Sequence, residues 1–227
     1  MDTILKIVIP YSDTDEYRRT VLGYVTSLYN EHGFDVIIGE IPSSEPWSKG
    51  RAIRTGIAGM SDDEVIGVAD ADVWLPPEGP VTAWEQGRWV IPHYRVRRLS
   101  QGATAALMED RDEWLQGGLD RAPYVGIPGG GIVILTVGQY RQCPIDPRFE
   151  GWGSEDHAWG YALYAMFGNP IRGTMDLIHF WHPPDPQKGY GKLGSNSNSN
   201  LRKKYFQAIH KPDVLRSLIN EGERLYL

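Results

Sequence analysis

Three short segments carry side chains whose types and spacing could do chemistry. Asp70-Ala71-Asp72 directly follows an apolar run at 64–68. In an extended chain, residues i and i+2 project from the same face, so both carboxylates can approach one hard cation. Mg2+ or Mn2+ held there binds a diphosphate in turn and neutralises charge on a departing nucleotide. A solvated turn could use the same tripeptide, and its place at the end of an apolar strand favours the metal site. His179 and His182 offer a second source of ligands in an aromatic segment near a strand end, because imidazole suits Mn2+ and other transition metals. Core histidines would suit that segment too. In the third segment, 149–156, glycines flank Trp152, so the backbone can turn tightly and set the indole against a ligand. Glu155 and Asp156 then open a helix whose N-terminus favours negative charge. A carboxylate so placed could take the proton from a reacting hydroxyl; an ordinary acidic helix start is the other reading.

These residues must be positioned by the surrounding elements. The β-branched run Ile4 to Ile9, stopped by Pro10, reads as a buried parallel strand. Ser12, Asp13 or Thr14 can cap the helix that follows, in which Tyr17, Val21, Tyr24, Val25 and Leu28 recur at helical spacing. A second strand is expected at 34–38, a second helix at 49–59 and a third strand at 64–68. This alternation predicts a parallel, Rossmann-like sheet with helices packed on it. Ligands of such sheets bind beyond the carboxyl ends of the strands, where Asp70 and Asp72 fall. Further on, strands are expected at 89–91, at 132–135 after Gly129-Gly130-Gly131, and before His179, with helices at 103–115 and 158–167. Residues 185–200 are rich in Gly, Ser and Asn and read as a flexible lid, with an inert disordered connector as the other reading. A helical tail follows at 201–227.

The fold class expected is α/β: a mixed, mainly parallel central sheet flanked by helices in a single domain, 1–227. Residues 1–75 would form its nucleotide-binding half and 76–184 its acceptor and catalytic half. A net charge of −6 lacks the basic footprint that phosphate-backbone binding requires, which disfavours a nucleic-acid partner. The local cluster Arg95, Arg97 and Arg98 reads instead as a solvated strand edge or loop. With one cysteine, Cys143, no internal disulfide is possible, and the residue suits a small buried hydrophobe. No run of about 18 apolar residues is present, so a cytoplasmic protein without membrane insertion is expected.

The ordered motifs resemble a known family. Ile9-Pro10-Tyr11, Trp47-Ser48-Lys49-Gly50, Val68-Ala69-Asp70-Ala71-Asp72-Val73-Trp74, Gly129-Gly130-Gly131, Gly151-Trp152-Gly153-Ser154-Glu155-Asp156 and His179-x-x-His182 together look like the GT-A glycosyltransferases. The likeness is greatest to the β-1,4-galactosyltransferase and chondroitin-polymerase-like group, and it runs from about 4 to 184. It implies a metal-dependent, inverting transfer of a hexose or N-acetylhexosamine from a nucleotide diphosphate, UDP above all, to an acceptor hydroxyl. The metal implied is Mn2+ or Mg2+, and the partners are the UDP-sugar donor and a glycan, protein or other hydroxyl-bearing acceptor.

Carried over by position, the resemblance makes Asp72 and His182 metal ligands, with His179 where that group places a methionine ligand. Asp70 would lie nearer the ribose or sugar, and Trp152 would contact both sugars. Glu155 would hydrogen-bond the sugar, with Asp156 as catalytic base. Pro10, Tyr11, Asp13, Trp47 and Lys49 would line the nucleotide pocket, with Gly130 near the sugar. The chain departs from the family where Ser12-Asp13 replace arginines and where Lys49 replaces another. A nucleotidyltransferase would share the sheet but wants a glycine-rich phosphate loop near the first strand, where this chain has Pro10-Tyr11-Ser12-Asp13. A non-catalytic module that binds carbohydrate or nucleotide-sugar is the remaining alternative.

Overall fold

The computed structural model describes residues 5–13, 15–42, 44–75, 88–109, 118–121, 129–183 and 196–226. Its first strand, β1 (Lys6–Pro10), leads into helix α1 (Glu16–Glu31). The cap of α1 is Asp15, later than the three expected residues: its Oδ1 accepts the Arg18 backbone N–H at 2.8 Å. Strand β2 (Asp35–Gly39), helix α2 (Lys49–Gly56) and strand β3 (Val65–Ala69) follow the expected alternation. Then come β4 (Val73–Trp74), β5 (Val90–Leu99), α3 (Gln101–Glu109), β6 (Gly118–Arg121), β7 (Ile132–Thr136) and α4 (Val137–Gln142). Helix α5 (Glu155–Phe167), strand β8 (Ile171–His179), helices α6 (Asn196–Ala208) and α7 (Pro212–Glu223) and a 3-10 turn (Arg224–Tyr226) complete the described chain.

The strands form one sheet of eight in the order β2-β1-β3-β7-β5-β8-β4, with β6 paired to β5. Strands β1, β2, β3, β5 and β8 run one way, while β4, β6 and β7 run against them. The sheet is therefore mixed and mostly parallel. Period-two alternation feeds two cores, because successive strand residues face opposite sides. Val8, Ile66, Val68, Val133 and Leu135 pack with α2, α5, α6 and α7 residues such as Ile53, Trp159, Leu201 and Leu215. Ile7, Ile9, Val65, Ala69, Ile132 and Ile134 pack with Val21, Val25, Leu28 and Tyr29 of α1. Helices on both faces explain why the strands read as nearly continuous apolar runs. Cys143 is fully buried in the first core, as expected. No described helix is long and apolar enough to cross a membrane.

Two expectations change. Strand β5 continues to Leu99, well past 91, because β6 and β8 flank its polar half. Arg95 and Arg97 are thereby held by Asp176 of β8, at 3.5 and 2.8 Å. The basic cluster thus lies on an interior strand. Of the expected lid, 185–195 fall outside the described residues, and 196–200 form the start of α6. Residues 110–115 of the expected helix at 103–115 also lie outside them.

Polar anchors behind the sheet end fix the 149–156 turn. The buried Asp146 carboxylate accepts bonds from Arg148 and from the Tyr205 hydroxyl, at 2.6 and 2.8 Å to Oδ2, tying α6 to this loop. Asn198 donates to the Glu150 and Gly153 carbonyls at 3.0 and 3.1 Å. On the other side, α2 packs so closely that a Cβ on Gly50 would lie 2.2 Å from the Ile145 carbonyl oxygen. Gly50→Ala should therefore lower stability by about 1–3 kcal/mol through overpacking, read as a lower melting temperature. Gly59→Ala, where no atom lies within 4 Å of the added carbon, is the control. Equal melting temperatures for the two variants would contradict the packing.

Candidate active site

The site lies where β3, β7, β8 and α5 end or begin. Asp70 leaves β3 and is fixed twice by Gly131: its N–H donates to the Gly131 carbonyl at 2.9 Å, and its Oδ2 accepts the Gly131 N–H at 3.0 Å. Only glycine suits that partner, since φ is +82° and a Cβ would meet Leu177 at 2.6 Å. Two residues on, Asp72 is set beside β8, because Val73 pairs with His179 and the Phe180 N–H donates to the Asp72 carbonyl at 2.8 Å. His182 Nε2 then lies 3.1 Å from Asp72 Oδ2, and His179 Nε2 lies 3.9 Å from Oδ1. One ligand atom from each of the three residues falls within 4.8 Å of the others. One carboxylate oxygen and two imidazole nitrogens fit a cation such as Mn2+ better than Mg2+, which prefers oxygen.

The second nitrogen of His182 bears on that fit. Its Nδ1 lies 2.8 Å from the Pro183 carbonyl and 2.9 Å from Arg18 Nη2. When Nδ1–H donates to the carbonyl, Nε2 turns its lone pair toward Asp72 and a metal; when Nδ1 accepts from Arg18, Nε2 carries the proton. Burial keeps His179 below the usual imidazole range despite Asp72, with Arg98 and His182 adding to the shift. The neutral, ligating form is thus favoured.

A second group abuts the first. Gly151, Gly153 and Ser154 take positive φ values of 70°, 101° and 79°, a turn that ends by pointing the Glu155 and Asp156 side chains out of the first turn of α5. Lys49, at the start of α2, reaches across to donate to Asp70 Oδ1 at 2.5 Å and to Asp156 Oδ1 at 2.7 Å. Its side chain is only 9% exposed. Burial opposes the ammonium charge, but Asp156 and Asp70 outweigh it and hold Lys49 well above its ordinary range. Burial would raise Asp70 as well, yet Lys49 and the Gly131 N–H keep it below the usual value. Burial and the charge of Asp70 raise Asp156, with Lys49 opposing.

The structure thus gathers Asp70, Asp72, Glu155, Asp156, Lys49, His179 and His182 at one end of the sheet. Gly130 is buried beside Gly131, and Trp47 and Trp152 are half-buried, with the Gly151 N–H donating to the Trp47 carbonyl at 2.8 Å. Pro10 ends β1, and the Tyr11 N–H donates to the Gly39 carbonyl at 2.9 Å. Asp13 stands apart: it is exposed and held by Arg19 of α1, at 2.8 and 2.9 Å. Lys49 sits between two carboxylates, a position that no motif spelling indicates. In the sequence Gly131 reads only as part of a glycine run, and Arg18 carries no signal.

Glu155 supplies a pH test. Burial, joined by the charge of Asp156 and opposed by Lys49, pushes its carboxyl up to about 7. The folded protein keeps a proton that the unfolded chain gives up near 4.5, so this stabilisation is full below that value and is lost as pH rises through about 7. Glu155→Gln, which mimics the neutral acid, should gain melting temperature relative to the wild type as pH rises from about 5 to about 8. Parallel profiles would contradict a neutral Glu155.

No family model and no curated relative matches the sequence. Among solved structures, the chain is similar to a point mutant of the Drosophila β-1,4-galactosyltransferase 7 in complex with manganese, UDP-Gal and xylobiose. That likeness has a TM-score of 0.50 and 14% identity, over 83% of this chain and 76% of the other. The chain is also similar to GalNAc-T7 with UDP, GalNAc and Mn2+, with a TM-score of 0.53 and 10% identity, over 96% of this chain. It spans 55% of that structure, about half its length. At such identities the likeness is one of fold, and the architecture of the chain is the GT-A fold.

Proposed function

We propose that the chain is a metal-dependent, inverting glycosyltransferase that moves a hexose or N-acetylhexosamine from a UDP-sugar to an acceptor hydroxyl. The observation that carries this reading is the contact between two groups of unlike chemistry. Asp70 belongs to the Lys49–Asp156 bridge, and Asp72, two residues on, belongs to the cluster with His179 and His182. One strand end therefore joins a cation site to a helix-borne carboxylate.

Asp72, His179 and His182 would hold Mn2+, which when bound supplies charge neutralisation to the departing diphosphate. Pro10, Tyr11 and Trp47, at or near the carboxyl ends of β1 and β2, line the nucleotide side. The exposed, Arg19-paired Asp13 belongs at its rim. Gly130, Trp152 and Glu155 face the sugar. A neutral Glu155 can donate a hydrogen bond to a sugar oxygen, which an ionised one cannot. Asp156 takes the proton from the acceptor hydroxyl as the acceptor oxygen bonds to the anomeric carbon and the bond to the phosphate oxygen breaks, releasing UDP with inversion. Lys49 holds Oδ1 of Asp156 and leaves Oδ2 to meet the acceptor. By balancing the charge of Asp70 it also keeps two carboxylates compatible at this distance.

Asp156→Asn should bind UDP in the presence of Mn2+ as the wild type does, yet lose about 10²–10⁴-fold in transfer rate. A panel of UDP-sugars with glycan, peptide and small hydroxylic acceptors, read by mass spectrometry, makes the comparison. Undiminished turnover removes Asp156 from the role of base. A wild type that binds UDP but neither transfers nor hydrolyses any donor supports a non-catalytic nucleotide-sugar-binding module instead.

A further inference from the structure

Two arginines outside every motif stand against the imidazoles of the cation site. Strand β5 runs parallel to β8 in a register that pairs Val96 with Leu177 and, two residues on, Arg98 with His179. Val96 and Leu177 meet in one core, so Arg98 and His179 continue along that same face. The nearness is also electrostatic, since the Arg98 charge helps disfavour a second positive charge on His179. Its strand neighbours Arg95 and Arg97 both pair with Asp176. Among the described residues no carboxylate pairs with Arg98. At the other imidazole, Arg18 Nη2 lies 2.9 Å from His182 Nδ1 and 3.3 Å from the Pro183 carbonyl, while its Nε is 3.3 Å from Asp15.

With a dication in place, this corner is unbalanced. Among the described residues Asp72 is its one carboxylate within ligand distance, Asp70 shares Lys49 with Asp156, and Asp15 pairs with Arg18. A divalent ion and two guanidiniums outweigh Asp72 and Asp15 and repel one another unless a multiply charged anion lies among them. Guanidinium forks match phosphate oxygens in pairs, which a metal ion with fixed protein ligands cannot do for all of them. We infer that Arg98 and Arg18, one beside each imidazole, form the second half of the diphosphate site and bind the phosphate oxygens of a nucleoside diphosphate that the cation leaves free. This rests on the reading of the site proposed above. It adds a specificity: the chain selects UDP over UMP and uridine through these two side chains as well as through the metal.

Calorimetric titration of the full chain in Mn2+ with UDP, UMP and uridine tests the inference. Arg98→Gln should weaken UDP by about tenfold or more, the loss of charge-assisted hydrogen bonds, while leaving uridine affinity unchanged and Mn2+ affinity without nucleotide undiminished, since a positive charge beside the cation is removed. Arg18→Gln should act in the same direction, and Arg98→Lys should recover part of the loss, which also shows that the variant folds. UDP affinity within about twofold of wild type in both glutamine variants overturns the inference. An equal loss for uridine does so too, since the defect would then lie in the nucleoside pocket or the fold. A wild type that binds no UDP with Mn2+ overturns the proposed function along with it, whereas wild-type binding with indifferent variants overturns the arginine pair alone.

Discussion

The site depends on one buried cation. Four carboxylates, Asp70, Asp72, Glu155 and Asp156, converge at one end of the sheet, and like charges at such range resist being held together. The Lys49 ammonium, in contact with Asp70 and Asp156 at once, ties the end of β3 to the start of α5. Its own position depends on the close approach of α2 to the Ile145 backbone, which the bare Cα of Gly50 permits. The remaining charge is managed differently for each acid. Glu155 is pushed toward its neutral form by burial, and Asp72 faces two imidazoles.

From this bridge the two halves of the site follow. The acids of α5 are aimed by a turn of positive-φ residues that Asn198 and Asp146 brace from behind. The candidate cation cluster is built by sheet register: β4 against β8 puts His179 beside Asp72, and β5 against β8 puts Arg98 beside His179. Loop geometry thus sets the carboxylate group and strand pairing sets the cation group, with Asp70-Ala71-Asp72 as the short link between them.

Much of this was legible in the sequence because local pattern and global fold agree. Strand–helix alternation through β3 placed Asp70 and Asp72 at a strand end, and the glycine-flanked Trp152 marked the start of α5. What stayed hidden depends on contacts distant in sequence. The polar half of β5 reads as a loop or edge because Arg95, Arg97 and Arg98 lack apolar alternation, and Asp176, far along the chain, makes Arg95 and Arg97 suitable for an interior strand. The resemblance makes Lys49 a nucleotide-pocket residue, and nothing beside it in sequence shows that it reaches Asp70, 21 residues on, and Asp156, 107 residues on. The cap of α1 moved to Asp15 because four neighbouring residues have side chains of capping type and local sequence does not rank them.

In the proposed enzyme Asp72, His179 and His182 surround one divalent cation with the diphosphate of a nucleotide on its open side. Anomalous diffraction at the manganese edge from crystals grown with Mn2+ and UDP tests it most directly. A single peak is expected, bounded by the Asp72 carboxylate and both imidazoles, with phosphate oxygens completing the shell. A manganese peak away from these three residues, or UDP bound with its diphosphate remote from them, would contradict it.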